Sequence, residues 1–109
     1  GEVKERDCII VDDEIDTAGT LVRAANFVQA AGALDVVACA THAALSDPAA
    51  ERICDSTLRE VVVTDTILME PEKGERVGCK TEILSVAPLL ADVLQRIHQG
   101  RSVGELFSE

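Results

Sequence analysis

Short apolar runs alternate with helical patterns along the chain. The runs at residues 8–11, 35–41, 60–64 and 81–86 are rich in β-branched residues, as expected of strands in a covered parallel sheet. Residues 21–31 and 87–98 carry apolar positions at spacings near 3.6, which predicts helices, and Ser46-Asp47-Pro48 predicts another helix start. The order predicts an α/β fold, a mostly parallel sheet with helices on both faces.

Two segments lack the pattern of a long helix or a strand. Residues 69–77 are polar and include Pro71 and Gly74, which predicts a mobile surface loop. Residues 102–107 form a short amphipathic tail that can dock back on the chain or meet a partner.

Composition and charge narrow the class of protein. The 109 residues suffice for one domain, and its core must come from Val, Ile, Leu and Ala because only 2% of residues are aromatic. The formal net charge of −10 argues against binding to nucleic acid and to anionic membranes. We see no secretory signal and no apolar run near the roughly 20 residues of a membrane span.

The four cysteines are Cys8, Cys39, Cys54 and Cys79, and no two of them form a C-x-x-C pair. Zinc and redox motifs are therefore poorly supported. We expect buried, reduced thiols and hence a cytoplasmic location.

The segment 11–21 joins the first predicted strand to the first predicted helix. In parallel sheets, ligands bind at the carboxyl ends of the strands, beside the N-terminus of the following helix. Gly19 allows a tight turn and a close approach of the backbone to a ligand. The amides of residues 17–20 can point together at an anion, and the hydroxyls of Thr17 and Thr20 add donors. This segment predicts a phosphate site that needs no lysine.

Three carboxylates lie beside this predicted phosphate site: Asp12, Asp13 and Asp16. An ionised carboxylate only accepts hydrogen bonds, so it suits the hydroxyls of a sugar diol. A hard cation such as Mg²⁺ can also bridge carboxylates and substrate oxygens. The competing interpretation is a helix cap, in which Asp and Thr side chains bind the first free amides.

The run Val11-Asp12-Asp13-x-x-Asp16-Thr17-Ala18-Gly19-Thr20-Leu21 resembles the phosphoribosyl-binding signature of type I phosphoribosyltransferase folds. Its Asp16 resembles the ribose-phosphate pyrophosphokinase branch, whose carboxy-terminal half the chain is similar to. The likeness continues through residues 40–53, 62–67, 86–91, 96–98, 102–103 and 106–107.

The resemblance implies roles for individual residues. Asp12 and Asp13 would bind the ribose hydroxyls and Mg²⁺. The 5-phosphate of ribose 5-phosphate would be held by Asp16, Thr17, Ala18, Gly19 and Thr20. The tail with Ser102 and Phe107 resembles a segment that lines a regulatory site between subunits, although Gly104 departs from the usual Ser.

The resemblance also implies an activity and partners. The family transfers the diphosphate of ATP to ribose 5-phosphate, which gives phosphoribosyl pyrophosphate and AMP, and it assembles as dimers within hexamers. Residues 1–109 would form one ribose-phosphate-binding domain, the carboxy-terminal half of a two-domain enzyme. The ATP-binding and catalytic residues would lie in the missing half, so the isolated chain would be inactive.

Two other functions stay open at this stage. The run Ile9-Ile10-Val11-Asp12-Asp13-Glu14 also looks like the start of a receiver domain, in which Asp65 would be the phosphoacceptor. That interpretation lacks a fifth strand with its lysine. The other alternative is a non-catalytic regulatory paralogue that assembles with active subunits.

Overall fold

A computed structural model describes residues 1–107 of the chain. The four strands are β1 (Cys8–Ile15), β2 (Val36–Ala43), β3 (Glu60–Thr64) and β4 (Thr81–Leu84). The four α-helices are α1 (Gly19–Ala30), α2 (Ala49–Asp55), α3 (Pro71–Val77) and α4 (Ala87–His98). A single 3₁₀ turn, Gly104–Leu106, follows α4.

The strands form one parallel sheet in the order β1-β2-β3-β4. The predicted α/β class and parallel sheet are confirmed. Each strand lies next to its successor in the chain, and right-handed crossovers in such an order bring the connecting helices to the same face of the sheet. The carboxyl ends of all four strands meet at one edge.

The core lies between this face of the sheet and the connecting helices. It contains Val36 and Val61 from the strands, Ala25 from α1, Ile53 from α2 and Val77 from α3, all buried. The sheet residues at alternate positions point to the opposite face. On that face, Ile9 and Val11 of β1 are 67% and 77% exposed. Within residues 1–107, helices therefore cover only one face of the sheet along β1. We predicted helices on both faces, and the face that carries Ile9 and Val11 is not covered.

The last helix, α4, has no buried residue, and its apolar side chains Leu89, Leu90, Leu94 and Ile97 are exposed. Such a stripe is typical of a helix that packs against further protein. No helix in the described part of the chain is both long and apolar enough to cross a membrane.

The prediction of a mobile loop at residues 69–77 was wrong, because α3 forms there. Pro71 occupies the first turn, where its missing N–H has no partner to lose. Val77 is buried in the core, and Lys73 donates to the carbonyl of Ala44 at 3.2 Å. Arg76 forms ion pairs with Asp47, just before α2, and with Glu51 in α2. These tertiary contacts hold a polar helix that hydrophobic periodicity does not reveal.

The prediction of four reduced thiols was wrong for two of them. Cys54 at the end of α2 and Cys79 before β4 form a disulfide, with their Cα atoms 6.4 Å apart. Cys8 and Cys39 are free and partly buried. The pair is 25 residues apart in sequence and no local spacing marks it, because the fold alone brings the end of α2 beside the start of β4.

Candidate functional site

The strand β1 is longer than its apolar run, and this places its carboxylates. Glu14 pairs with His42 and Ile15 with Ala43 on β2, so the strand continues through the acidic residues. A cavity of about 350 Å³ opens where β1 meets α1. It is lined by Asp12, Glu14, Ile15, Asp16, Thr17, Ala18, Gly19, Thr20 and Leu21.

The structure thus brings together six of the seven residues predicted for the sugar phosphate. The exception is Asp13, which is exposed on β1 but does not line the cavity. Successive side chains of a strand point to opposite sides, so Asp12 and Glu14 share a side and Asp13 takes the other. The cavity is also lined by Glu14, Ile15 and Leu21, which we did not predict, and of these Glu14 adds a further carboxylate.

The 16–20 loop leads into α1 without a side-chain cap. Ala18 is the N-cap residue, with φ of 58° in the left-handed region, and no side chain bonds to the first turn. The amides of Gly19, Thr20 and Leu21 begin the helix, where amides lack partners within the helix. The capping interpretation of the acidic residues is therefore wrong, and these donors remain available to an anion.

The absence of a side chain at Gly19 makes room for Arg52, a contact that we did not predict. A Cβ atom at this position would lie 3.1 Å from Nη1 of Arg52, which reaches over the loop from α2. The same Nη1 donates a 2.9 Å hydrogen bond to the carbonyl oxygen of Thr17. The left-handed residue of the turn is Ala18. Nothing in the sequence marks Arg52, which is 35 residues from Thr17.

The cavity is rich in negative charge. Asp12, Glu14 and Asp16 are exposed, and none of them forms an ion pair within residues 1–107. The side chains of two arginines contact the loop, Arg52 at Thr17 and Arg23 at the hydroxyl of Thr20, 3.4 Å away. Acceptor-only carboxylates beside free amides suit a ligand that has both hydroxyl groups and an anionic group.

The donor set at Asp12 and Asp13 fits Mg²⁺ only as a site of few protein ligands. No group of three or more His, Cys, Asp or Glu side chains is arranged to hold a metal among residues 1–107. One oxygen of Asp12 accepts the amide of Asp13 at 2.9 Å, and its other oxygen has no protein partner there. Mg²⁺ commonly takes one or two carboxylates and completes its shell with water and substrate oxygens.

A polar network lies at the same edge of the sheet, on β2 and β3. Nδ1 of His42 lies 2.8 Å from the hydroxyl of Thr66. The hydroxyls of Thr64 and Thr66 donate to the carbonyl of Thr41, at 2.6 and 3.2 Å. This network binds the ends of the two strands together and fixes the ring of His42.

Asp65, just after β3, has a partner within the fold. Its Oδ1 accepts the amide of Val86, the residue that precedes α4, at 2.8 Å. The Ser85 hydroxyl and the Val86 amide hold the pKa of Asp65 below its usual value, because both favour the charged carboxylate. The carboxylate thus links the end of β3 to the start of α4 through this hydrogen bond.

We expect the hydrogen bond between Asp65 and Val86 to make the free energy of unfolding depend on pH. Since the folded-state pKa is lowered, Asp65 stabilises the fold above the unfolded value of about 3.9, and the contribution is lost as pH falls through the folded value. Urea titrations should therefore show Asp65→Ala unfolding at lower urea than the wild type at pH 7, with a smaller gap between the two at pH 2.5. Glu82→Ala, on the exposed surface of β4, is the control, and an equal gap at both pH values contradicts the assignment.

The two predicted regulatory residues lie on the tail after α4. Arg96 binds this tail through the carbonyl of Ser102 and the carboxylate of Glu105, both at 3.1 Å. The side chain of Phe107 is exposed beyond the 3₁₀ turn. The tail therefore docks back on α4, and Ser102 and Phe107 both face solvent.

Comparison with known proteins identifies the family of the chain. The sequence profile of the phosphoribosyl synthetase-associated domain family matches residues 1–108. The chain belongs to this family. This phosphoribosyl synthetase-associated domain is 51% identical over 108 residues to a ribose-phosphate pyrophosphokinase of Caldanaerobacter subterraneus subsp. tengcongensis. It is also 51% identical over 110 residues to one of Burkholderia pseudomallei.

These relatives are about three times as long as the domain. The match covers 99% of this chain and 33% of the Caldanaerobacter protein, and 100% and 34% for the Burkholderia protein. Among solved structures, the phosphoribosylpyrophosphate synthetase of Mycobacterium smegmatis superposes with a TM-score of 0.85 at 41% identity. That superposition covers 92% of this chain and 33% of the other.

The receiver-domain alternative is wrong. Receiver sheets place their first strand between the second and third, in the order 2-1-3-4-5. Here β2 pairs with both β1 and β3, and the carboxylate of Asp65 is engaged by Val86. The family match excludes the same alternative independently.

Proposed function

We propose that this domain supplies the ribose 5-phosphate site of a ribose-phosphate diphosphokinase. The observation that carries the proposal is the single cavity that combines uncapped helix amides with the carboxylate of Asp12. The amides of the 16–20 loop and the hydroxyls of Thr17 and Thr20 would bind the 5-phosphate. Asp12 and Glu14 would accept hydrogen bonds from the ribose hydroxyls.

Asp16 needs a separate account, because a carboxylate beside a phosphate is repulsive. It occupies the first position of the loop and is exposed. We propose that Asp16 accepts loop or sugar donors on the side away from the phosphate oxygens. Its charge would be offset by Arg52 and Arg23 behind the loop.

We propose Mg²⁺ as the cofactor, held by Asp12 and Asp13 together with substrate oxygens. When bound, the ion neutralises phosphate charge and polarises the oxygens that take part in the transfer. Asp13 is exposed and does not line the cavity, and it would offer the ion a second carboxylate. The chain's own contribution is to hold the sugar phosphate in one orientation, so that its anomeric hydroxyl faces the second substrate.

The second substrate, ATP, would be bound by protein outside this chain. The domain spans about a third of the length of its relatives, and we propose that it forms the carboxy-terminal half of a two-domain enzyme. The open sheet face at Ile9 and Val11 and the apolar stripe of α4 provide surface for packing against that protein. We propose a homo-oligomer, with dimers within a hexamer.

Two further proposals concern regulation and location. Ser102 and Phe107 are exposed on the docked tail, where they could contribute to a regulatory nucleotide or phosphate site between subunits. We propose a cytoplasmic location because ATP and sugar phosphates are cytoplasmic substrates. In that reducing compartment the Cys54–Cys79 pair would be opened to thiols.

A chimera tests the proposed function. The matching third of the Caldanaerobacter protein is replaced by this domain, and the formation of phosphoribosyl pyrophosphate and AMP from ATP and ribose 5-phosphate is measured. We expect the chimera to be active with Mg²⁺ and inactive after chelation of the metal. The same chimera with Asp12→Asn should have a kcat/KM at least tenfold lower.

The chimera also separates the catalytic domain from a regulatory paralogue. A folded, oligomeric chimera that forms no product, beside an active parent enzyme, contradicts the proposal and favours a non-catalytic role. An active chimera excludes a degenerate site.

A further inference from the structure

Arg52 contacts the 16–20 loop from outside the cavity. It lies on α2, its Nη1 donates to the carbonyl of Thr17 at 2.9 Å, and it is absent from the cavity lining. Within residues 1–107, its guanidinium forms no ion pair with a carboxylate, although five other pairs occur. This charged side chain is therefore committed to the backbone of the loop.

The hydrogen bond fixes the orientation of one peptide group. The carbonyl of Thr17 and the amide N–H of Ala18 belong to the same planar, trans peptide, so they point in opposite directions. With the carbonyl held towards Arg52, the N–H of Ala18 points away from α2. The cavity is lined by Thr17 and Ala18 and by carboxylates of β1, and Arg52 is not among its lining residues.

The fit of Arg52 against Gly19 is a second, independent observation. A Cβ atom at position 19 would lie only 3.1 Å from Nη1 and 3.8 Å from Cζ of Arg52. The guanidinium thus occupies the space that a side chain would fill. Gly19 lets the cation lie directly against the loop backbone.

We propose that Arg52 is a positioning residue that holds the 16–20 loop in the shape that binds the sugar phosphate. It acts through the Thr17–Ala18 peptide and does not touch the ligand. The inference rests on the proposed function, since it assigns Arg52 a role in the binding of ribose 5-phosphate.

The test compares three single variants of the 109-residue chain with the wild type, and Gly19→Ala is then added to the wild type and to Arg52→Met. Arg52→Met keeps the long apolar stem and removes the donor, Arg52→Lys keeps one cationic donor, and Arg101→Met is the control for the loss of one exposed arginine. Calorimetric titration with ribose 5-phosphate and Mg²⁺ gives the Kd, and urea denaturation gives the stability. The ¹⁵N order parameter of the Ala18 amide is measured by NMR without ligand.

We expect Arg52→Met to raise the Kd about tenfold, the range of one charge-assisted hydrogen bond. Its urea midpoint should stay close to that of Arg101→Met, the order parameter of its Ala18 amide should fall, and Arg52→Lys should recover most of the affinity. Gly19→Ala should weaken binding in the wild type and have no further effect in Arg52→Met, because both changes displace the same guanidinium.

The outcomes distinguish the inference from the proposed function. If the wild type binds and Arg52→Met binds with the same Kd, the inference is overturned and the function stands. If the wild type does not bind, the proposed function fails, and the order parameter of the Ala18 amide in the free chain decides about Arg52. A lower order parameter in Arg52→Met then supports the positioning role, and an unchanged value overturns it.

Discussion

Asp12→Asn should weaken the binding of ribose 5-phosphate in the presence of Mg²⁺ by roughly 10- to 100-fold, the range of a lost hydrogen bond to a charged group. The substitution keeps one oxygen that can accept the amide of Asp13, so the fold should be undisturbed. It replaces the other oxygen, which has no protein partner in residues 1–107, by an N–H₂ group that cannot accept a sugar hydroxyl.

The binding of inorganic phosphate separates the role of Asp12 at the sugar from an effect on the phosphate. Phosphate has no diol, and the loss of a neighbouring negative charge reduces repulsion, so Asp12→Asn should bind phosphate equally well or more tightly. Glu75→Gln, on the exposed face of α3, is the control for the change in net charge. Calorimetric titrations of both ligands check the pair of expectations. An equal loss of affinity for both ligands contradicts the assignment of Asp12 to the sugar.

Reduction of the Cys54–Cys79 disulfide should lower the free energy of unfolding by about 2–4 kcal/mol, as expected for a loop of this size. The crosslink spans 25 residues and joins the end of α2 to the segment before β4. Opening it restores conformational freedom to the unfolded chain, and in the native state it releases α3 from one of its attachments.

Urea denaturation with and without dithiothreitol measures this effect. The wild type should shift, whereas the Cys54→Ser/Cys79→Ser double variant should not respond to the reductant. A count of free thiols in the unfolded, unreduced wild type should give the two that belong to Cys8 and Cys39. Four reactive thiols, together with no response to dithiothreitol, contradict the disulfide.

Some elements could be predicted closely from the sequence, because their signals are local. The strand at residues 60–64 and the helix at residues 87–98 have the predicted ends. In both, the pattern of apolar residues ends where the element ends. Pro88 and Gly100 also mark the limits of the helix with their backbone preferences.

The remaining differences depend on contacts between distant segments. The strand β1 continues past its apolar run because Glu14 and Ile15 find partners on β2. The helix α3 replaces a predicted loop because Val77 reaches the core, although Pro71 and the charges at its two ends were signals that could have revealed it.

The candidate site divides in the same way. Its members Asp12 and 16–20 are contiguous and follow a strand, so a motif and elementary chemistry were enough to find them. The different environments of Asp12 and Asp13 also follow from a local rule, because successive side chains of a strand point to opposite sides. The role of Arg52 depends on how α2 packs, which no local pattern encodes.

We propose that the loop at residues 16–20 binds the phosphate of ribose 5-phosphate. A ¹⁵N–¹H NMR titration of the 109-residue chain with ribose 5-phosphate and Mg²⁺ tests this binding, with ribose alone as the matched ligand. We expect saturable shifts of the amides of residues 17–20 that ribose alone does not produce. Saturable shifts confined to other parts of the chain, with these four amides unmoved, would contradict it.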